Sequence, residues 1–302
     1  MLAVEVRNLT RYFGKFCAVN NISLTVKTGE IFGLIGPNGA GKTTTIRMLT
    51  GVLKPSSGSG TVGGHDILTE QEEIKKIIGY MSQRFSLYND LTVLENLSFF
   101  GGIYGVSGRK LIERIDIVLK ITDMVDKKRT IVKQLPQGFR QRLALGCAVL
   151  HRPKVVFLDE PTSGVDPEFR ISFWNLIRNM KEEGLSVIVT THYLDEAERA
   201  DRIALVNKGK IVGTGTPTEL VEGVDIFTYE VEVKNLRGIL GKIRRMLKET
   251  VIIYGEKIHI LTKKSIDEVK KEFRFNDIEY LSIRKVRPKL EDIFTFKVKA
   301  EK

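Results

Sequence analysis

The chain has 302 residues, 42% hydrophobic and 28% charged, with a formal charge of +11 at pH 7. This length exceeds what one core usually fills, so one large domain and a smaller one are expected, and the composition excludes a disordered or fibrous chain. No run approaches the ~18 apolar residues of a membrane helix, and residues 1–10 alternate like a strand without the basic start and apolar centre of a signal peptide. The expectation is a protein that is not secreted and reaches a membrane only through a partner. Cys17 and Cys147 lack metal or redox spacing and read as two reduced, largely buried thiols of a reducing cytoplasm. The basic excess forms no block of like charge, so a solvated surface accounts for it best, then nearness to an anionic membrane, then nucleic acid.

In chain order, a short apolar strand is expected at 31–35 and leads directly into Gly36, Pro37, Asn38, Gly39, Ala40, Gly41, Lys42 and Thr43, with Thr44 opening a helical stretch ended by Gly51. This fits G-x-x-x-x-G-K-[ST] in the required strand-loop-helix setting. The glycines let successive backbone N–H groups curl around phosphate oxygens, and the helix start adds partial positive charge. Lys42 then belongs on the β- and γ-phosphates of a nucleotide, and the Thr43 hydroxyl on Mg²⁺.

A strand is expected at 77–81, after which the pattern turns helical through 92–104, 110–121 and 139–150, a helical subdomain inserted into a sheet domain. Strands return at 155–158, 186–190 and 203–206, giving a mostly parallel sheet covered by helices. The 155–158 run ends in Asp159 and Glu160, carboxylates at the C-terminal edge of the sheet beside the phosphate loop. Asp159 suits magnesium, and Glu160, expected on the other side of the strand, suits a general base for the attacking water. His192 closes the 186–190 strand at the same edge, within reach of a γ-phosphate; spacing alone leaves it open between that role and a structural one.

Near Glu222-Gly223 the pattern restarts. Phe227, Tyr229, Val231 and Val233 alternate with polar residues as a half-buried strand, and Leu236, Ile239, Leu240, Ile243, Met246 and Leu247 keep helical spacing. Strands near 251–254 and 258–262 follow, then a helix opened by Ser265 and Glu268, and a strand over 278–286. The order β-α-β-β-α-β implies a small split βαβ domain over 223–302 beside a larger domain over 1–222.

The phosphate loop, Gln83, the stretch from Leu135 to Asp166 and His192 occur in the order and spacing of ATP-binding cassette (ABC) domains, and the chain resembles the ATPase subunits of drug and antibiotic exporters. The resemblance covers about residues 2–222, and the trailing domain with Pro288-Lys-Leu-Glu-Asp-Ile-Phe294 is similar to the accessory domain of such subunits. It implies an α/β P-loop NTPase with an inserted helical subdomain and a small α+β C-terminal domain, hydrolysing ATP with Mg²⁺. It also implies adenine stacking on Phe13, contact of Gln83 with Mg²⁺ or the attacking water, γ-phosphate sensing by His192, and contact of Asp166 and Gly138 with nucleotide held by a second subunit. The implied partners are integral membrane permease subunits and a second ATPase, in a homo- or heterodimer on the inner face of the cell membrane, with no nucleic acid.

The signature of the family, Leu-Ser-Gly-Gly-Gln, reads Leu135-Pro136-Gln137-Gly138-Phe139 here. Pro136 supplies neither hydroxyl nor N–H, and Gln137 adds bulk, which weakens any contact across a dimer. Two other readings are a soluble ABC ATPase acting on ribosomes or DNA, and a regulatory subunit that hydrolyses weakly. A single cassette without room for a long coiled coil speaks against the first. Glu160 and His192 speak against the second, and Pro136 speaks mildly for it.

Overall fold

The computed structural model describes residues 1–302 apart from 84–86, 234–235, 237–240, 242, 244–248 and 301–302. Contacts divide the chain into two units, residues 1–211 and 212–302.

In the first unit, β3 (Ile31–Ile35), β6 (Ile78–Met81), β7 (Val155–Asp159), β8 (Ser186–Thr191) and β9 (Arg202–Asn207) join β10 (Lys210–Gly215) in one sheet of order β10-β9-β3-β8-β7-β6. The pairs β3–β8, β3–β9, β6–β7 and β7–β8 are parallel. Every residue of β3, β7 and β8 is buried, which is why these strands are mostly apolar rather than alternating, with polar residues confined to the ends of β7 and β8. A second sheet pairs β1 (Leu2–Phe13), β2 (Phe16–Lys27), β4 (Ser57–Val62) and β5 (His65–Asp66) in the order β2-β1-β4-β5. One apolar cluster joins Val4, Val6 and Val26 of this sheet to Phe32, Phe157 and Ile188 of the other and to Ile46 and Met48 of α1 (Lys42–Leu49). The phosphate-loop helix is thereby rooted in the core.

Between β6 and β7 lie the helices α3 (Val93–Ile103), α4 (Gly108–Ile121) and α5 (Gln137–Val149), after α2 (Gln71–Ile77). Thr92 and Glu95 form a capping box that starts α3. Gly146 lets α5 approach α4: a Cβ there would lie 2.8 Å from Val118 Cγ1. After β7, α6 (Pro167–Glu182) buries Phe173 and Trp174, and the short α7 (Leu194–Ala197) follows β8.

The second unit contains β11 (Phe227–Val233), β12 (Thr250–Tyr254), β13 (Lys257–Thr262) and β14 (Tyr280–Val286) in the order β12-β13-β11-β14, each neighbour antiparallel. With α9 (Ile266–Phe275), this is the strand order of a split βαβ sandwich. The helical spacing from Leu236 to Leu247 falls mostly outside the described residues, although Ile243 is buried and Leu236 packs on the same core. A helix that the periodicity did not suggest, α10 (Leu290–Ala300), closes the chain. The division between the units falls inside β10, after Ile211, and α8 (Pro217–Glu222), which buries Leu220, packs on α10 of the second unit.

Candidate active site

The phosphate loop leaves β3 under tight steric limits. A Cβ on Gly36 would lie 2.1 Å from the Val206 carbonyl oxygen, and one on Gly41, whose φ is +103°, 2.5 Å from that of Ala18. Only glycine satisfies both positions. The loop presents Lys42 and Thr43 at the start of α1. Lys42 Nζ donates to the carbonyls of Gly36 (2.7 Å) and Pro37 (3.1 Å) and lies 3.2 Å from Glu160 Oε1. Both side chains of that ion pair are almost fully enclosed, 3% and 6% exposed.

Asp159 ends β7 opposite Thr190 of β8. Its Oδ1 accepts from Thr43 Oγ1 at 3.0 Å and from Thr190 Oγ1 at 2.7 Å, while Oδ2 is buried without a partner. Burial pushes this carboxyl above its ordinary range, opposed by the two hydroxyls. A free carboxylate oxygen beside a threonine hydroxyl is a hard-oxygen donor set that suits Mg²⁺, which takes few protein ligands and completes its shell with phosphates and water. Among the described residues no group of three or more His, Cys, Asp or Glu side chains could hold a metal ion.

Glu160 has φ +50°, a left-handed backbone costly for a residue with a side chain. Its N–H donates to Thr190 Oγ1 (2.9 Å) and to the Thr190 carbonyl (3.2 Å). The expectation that Glu160 points to the other side of the strand is corrected: this turn brings both carboxylates over the loop, Asp159 to Thr43 and Glu160 to Lys42. The second oxygen, Oε2, accepts from Gln83 Nε2 at 3.3 Å, and His192 Nδ1 lies 3.3 Å away without the alignment of a hydrogen bond. Lys42, Gln83 and His192, from three separate segments, thus meet on one carboxylate.

Beside this cluster a cleft of about 380 Å³ is lined by Asn38 to Thr44, Gln83, Glu160, Ala18 and two aromatic rings, Phe13 and Phe16. Phe13 and Phe16 are register partners across the β1–β2 hairpin and are 46% and 65% exposed, so their rings form an open apolar wall of the cleft. The Arg11 guanidinium lies over the Phe13 ring at 4.8 Å.

Gly138 and Asp166 do not line this cleft. Asp166 caps α6, accepting from Phe169 N at 2.8 Å, and Gly138 lies under the Phe169 ring, where a Cβ would come within 2.4 Å. Pro136 occupies the N-cap of α5 and gives it no side-chain cap. Cys147 is buried, whereas Cys17 is only half-buried, because it sits beside the exposed hairpin end.

Two residues of the site escaped the sequence reading. Phe16 was legible as the partner of Phe13 across a Gly14-Lys15 turn. Thr190 was not, since its role rests on β7 and β8 being neighbours. Farther along, Thr162 Oγ1 donates to the buried Glu196 Oε1 at 2.6 Å, tying the loop after Glu160 to α7.

A phosphate loop between a buried parallel strand and a helix, with paired carboxylates at the end of β7, two places along the same sheet, defines a P-loop nucleoside triphosphatase. A family model described as ABC transporter matches residues 19–163. Over 217 residues, 72% of this chain, the sequence is 48% identical to the "Probable multidrug ABC transporter ATP-binding protein YbhF" of Escherichia coli (strain K12), of which it spans 38%. Over 301 residues, 96% of each chain, it is 34% identical to the linearmycin resistance ATP-binding protein LnrL of Bacillus subtilis (strain 168). A solved dimeric ATP-binding cassette in a post-hydrolysis state, bound to ADP and Pi, superposes with a TM-score of 0.63 at 26% identity, covering 70% of this chain and 98% of that one. The chain belongs to the ATP-binding proteins of the ABC transporter family.

Proposed function

We propose that this chain is the ATP-hydrolysing motor of an exporter, one of two cassettes that work on integral membrane permease subunits at the inner face of the cell membrane. The observation that carries it is the meeting of Lys42, Gln83 and His192 on the buried Glu160 carboxylate beside the phosphate loop. Lys42 is shared between loop carbonyls and Glu160. Triphosphate oxygens compete for that ammonium, so nucleotide entry frees Glu160 Oε1 to take the proton of a water attacking the γ-phosphorus, while Gln83 and His192 steady Oε2. Thr43 and the unpartnered Asp159 Oδ2, with Gln83, would hold Mg²⁺, which neutralises phosphate charge. Phe13, with Phe16, offers its ring to adenine.

Pairing of two such chains puts Gly138 and Asp166 at the partner's nucleotide. The names of the resistance and multidrug relatives support export as the direction of transport. No described helix is long and apolar enough to cross a membrane, so permease subunits supply the path. Their docking surface is the segment after Gln83. Phe85 lies outside the described residues, but Tyr88 is 47% exposed and stacks edge-on with the exposed Phe99 at 4.5 Å, next to Ile103. Asn96 pins this segment by bonding both the N–H and the carbonyl of Tyr88. The three helices between β6 and β7 form the helical subdomain, and the second unit is an accessory domain.

The test is magnesium-dependent ATP hydrolysis by the purified chain. Lys42→Ala should lose most ATP binding, and Glu160→Gln should keep binding while turnover falls by about 10²- to 10⁴-fold, the usual worth of a general base. Turnover of Glu160→Gln within about threefold of wild type refutes the assignment.

A further inference from the structure

A second cleft, of about 400 Å³, opens at the opposite edge of the six-stranded sheet. Lys154 and Leu185, which line it, immediately precede β7 and β8, so it lies roughly 16 Å along β7 from Asp159. Its walls are apolar, with Ile117 and Ile121 from α4, Val149 from α5 and Met180 from α6. Over them stand Arg114, Arg152 and Lys154, and Glu183 is the single carboxylate among the lining residues.

This charge is poorly balanced within the chain. Arg114 uses part of its guanidinium to close α5, with Nε donating to the Leu150 carbonyl at 2.9 Å and Nη2 to that of Val149 at 3.2 Å. Burial, and then the neighbouring charge of Arg152, hold Arg114 below its ordinary range, opposed by the carboxylate of Glu183. Neither Arg152 nor Lys154 has a carboxylate partner within ion-pair distance among the described residues. Arg152 also has a left-handed backbone, φ +58°, where glycine or asparagine would sit with less strain. Like charges gathered over an apolar wall gain most from a ligand that carries an anion at one end and hydrocarbon at the other. The volume is within the range of small-molecule sites.

We propose that this cleft is a binding site for a dispersed amphipathic anion, a phosphate or carboxylate headgroup on an apolar body. The headgroup is taken by Arg152, Lys154 and the free edge of Arg114, and the body lies against Ile117, Ile121 and Met180. Such a ligand bridges the helical segment and α6 at the end of the sheet remote from the nucleotide.

The probe is decyl phosphate below its micellar concentration, titrated calorimetrically into the full chain. Inorganic phosphate and 1-decanol serve as half-ligands, and vesicles of anionic phospholipid as the membrane alternative. Saturable binding at one site is expected, with each half-ligand binding at least about tenfold more weakly, since neither keeps both contributions. The double substitution Arg152→Asn, Lys154→Glu should weaken decyl phosphate by about tenfold or more, and so should Ile117→Glu on the apolar wall. Unchanged ATP binding by both variants shows that they fold. The proposal is overturned by absent or non-saturable binding, by variants that bind as wild type does, or by inorganic phosphate binding as tightly. Vesicle binding that depends on the same cations, without binding of dispersed ligand, also overturns it and makes this face a membrane contact.

Discussion

Among the described residues Thr190 is the hydroxyl that touches both Asp159 and Glu160, and its removal tests how the site is held. Its Oγ1 is buried, donates to Asp159 Oδ1 at 2.7 Å and accepts from Glu160 N at 2.9 Å. Thr190→Val keeps the branched shape and removes both bonds. The bond to the carboxylate is worth about 1.5–3 kcal/mol; the one from Glu160 N costs less, since that N–H keeps the Thr190 carbonyl at 3.2 Å. We expect Thr190→Val to lose about 2–3 kcal/mol in urea unfolding. Asp159 would retain only Thr43 as a donor, so its free oxygen is no longer fixed, and magnesium affinity should fall about 10- to 100-fold as it does when an outer partner of a metal ligand is removed. Thr190→Ser keeps the hydroxyl and should restore the magnesium requirement, while losing only the packing of one methyl. The assays are equilibrium unfolding and ATP hydrolysis as a function of Mg²⁺ concentration. A Thr190→Val protein within about 0.5 kcal/mol of wild type, with unchanged half-saturation by Mg²⁺, would refute this reasoning.

The thiols should differ sharply: Cys147 is fully buried and pushed far up by burial, whereas Cys17 is half-buried, so Ellman's reagent should count one reactive thiol in the native chain and two in denaturant. Tyr88→Glu should leave the isolated chain folded and able to bind ATP while uncoupling it from its permease in reconstituted transport; loss of folding would mean that Tyr88 serves only to pack on Phe99. Pro136→Ser with Gln137→Gly, in a Glu160→Gln background, should strengthen ATP-dependent dimerisation by about 1–3 kcal/mol in sedimentation, the worth of one regained charge-assisted hydrogen bond. A parent that already dimerises tightly with ATP, and gains nothing, rules that out. Gly138→Ala should destabilise the chain by about 1–3 kcal/mol in thermal melts, because the added Cβ meets the Phe169 ring at 2.4 Å.

Local chemistry alone determined the phosphate loop, the parallel strands and the two carboxylates. A glycine pattern between an apolar run and a helix has few other uses, and strands buried on both faces are rich in Val, Ile, Leu and Phe with no polar alternation. The three helices between β6 and β7 and most of the second unit were legible from period alone, within a few residues at each end. The last helix, Leu290–Ala300, was not, since Pro288 and mixed charges blur its pattern. Only tertiary structure decided which residues meet. Thr190 became a partner of Asp159 through the β7–β8 register, and Glu160 turned toward Lys42 through a left-handed backbone that no propensity favours. Gly138, which family resemblance assigns to a partner's nucleotide, also proved to be the space that Phe169 fills. Such facts depend on contacts between segments far apart in the chain, and periodicity describes only neighbours along it.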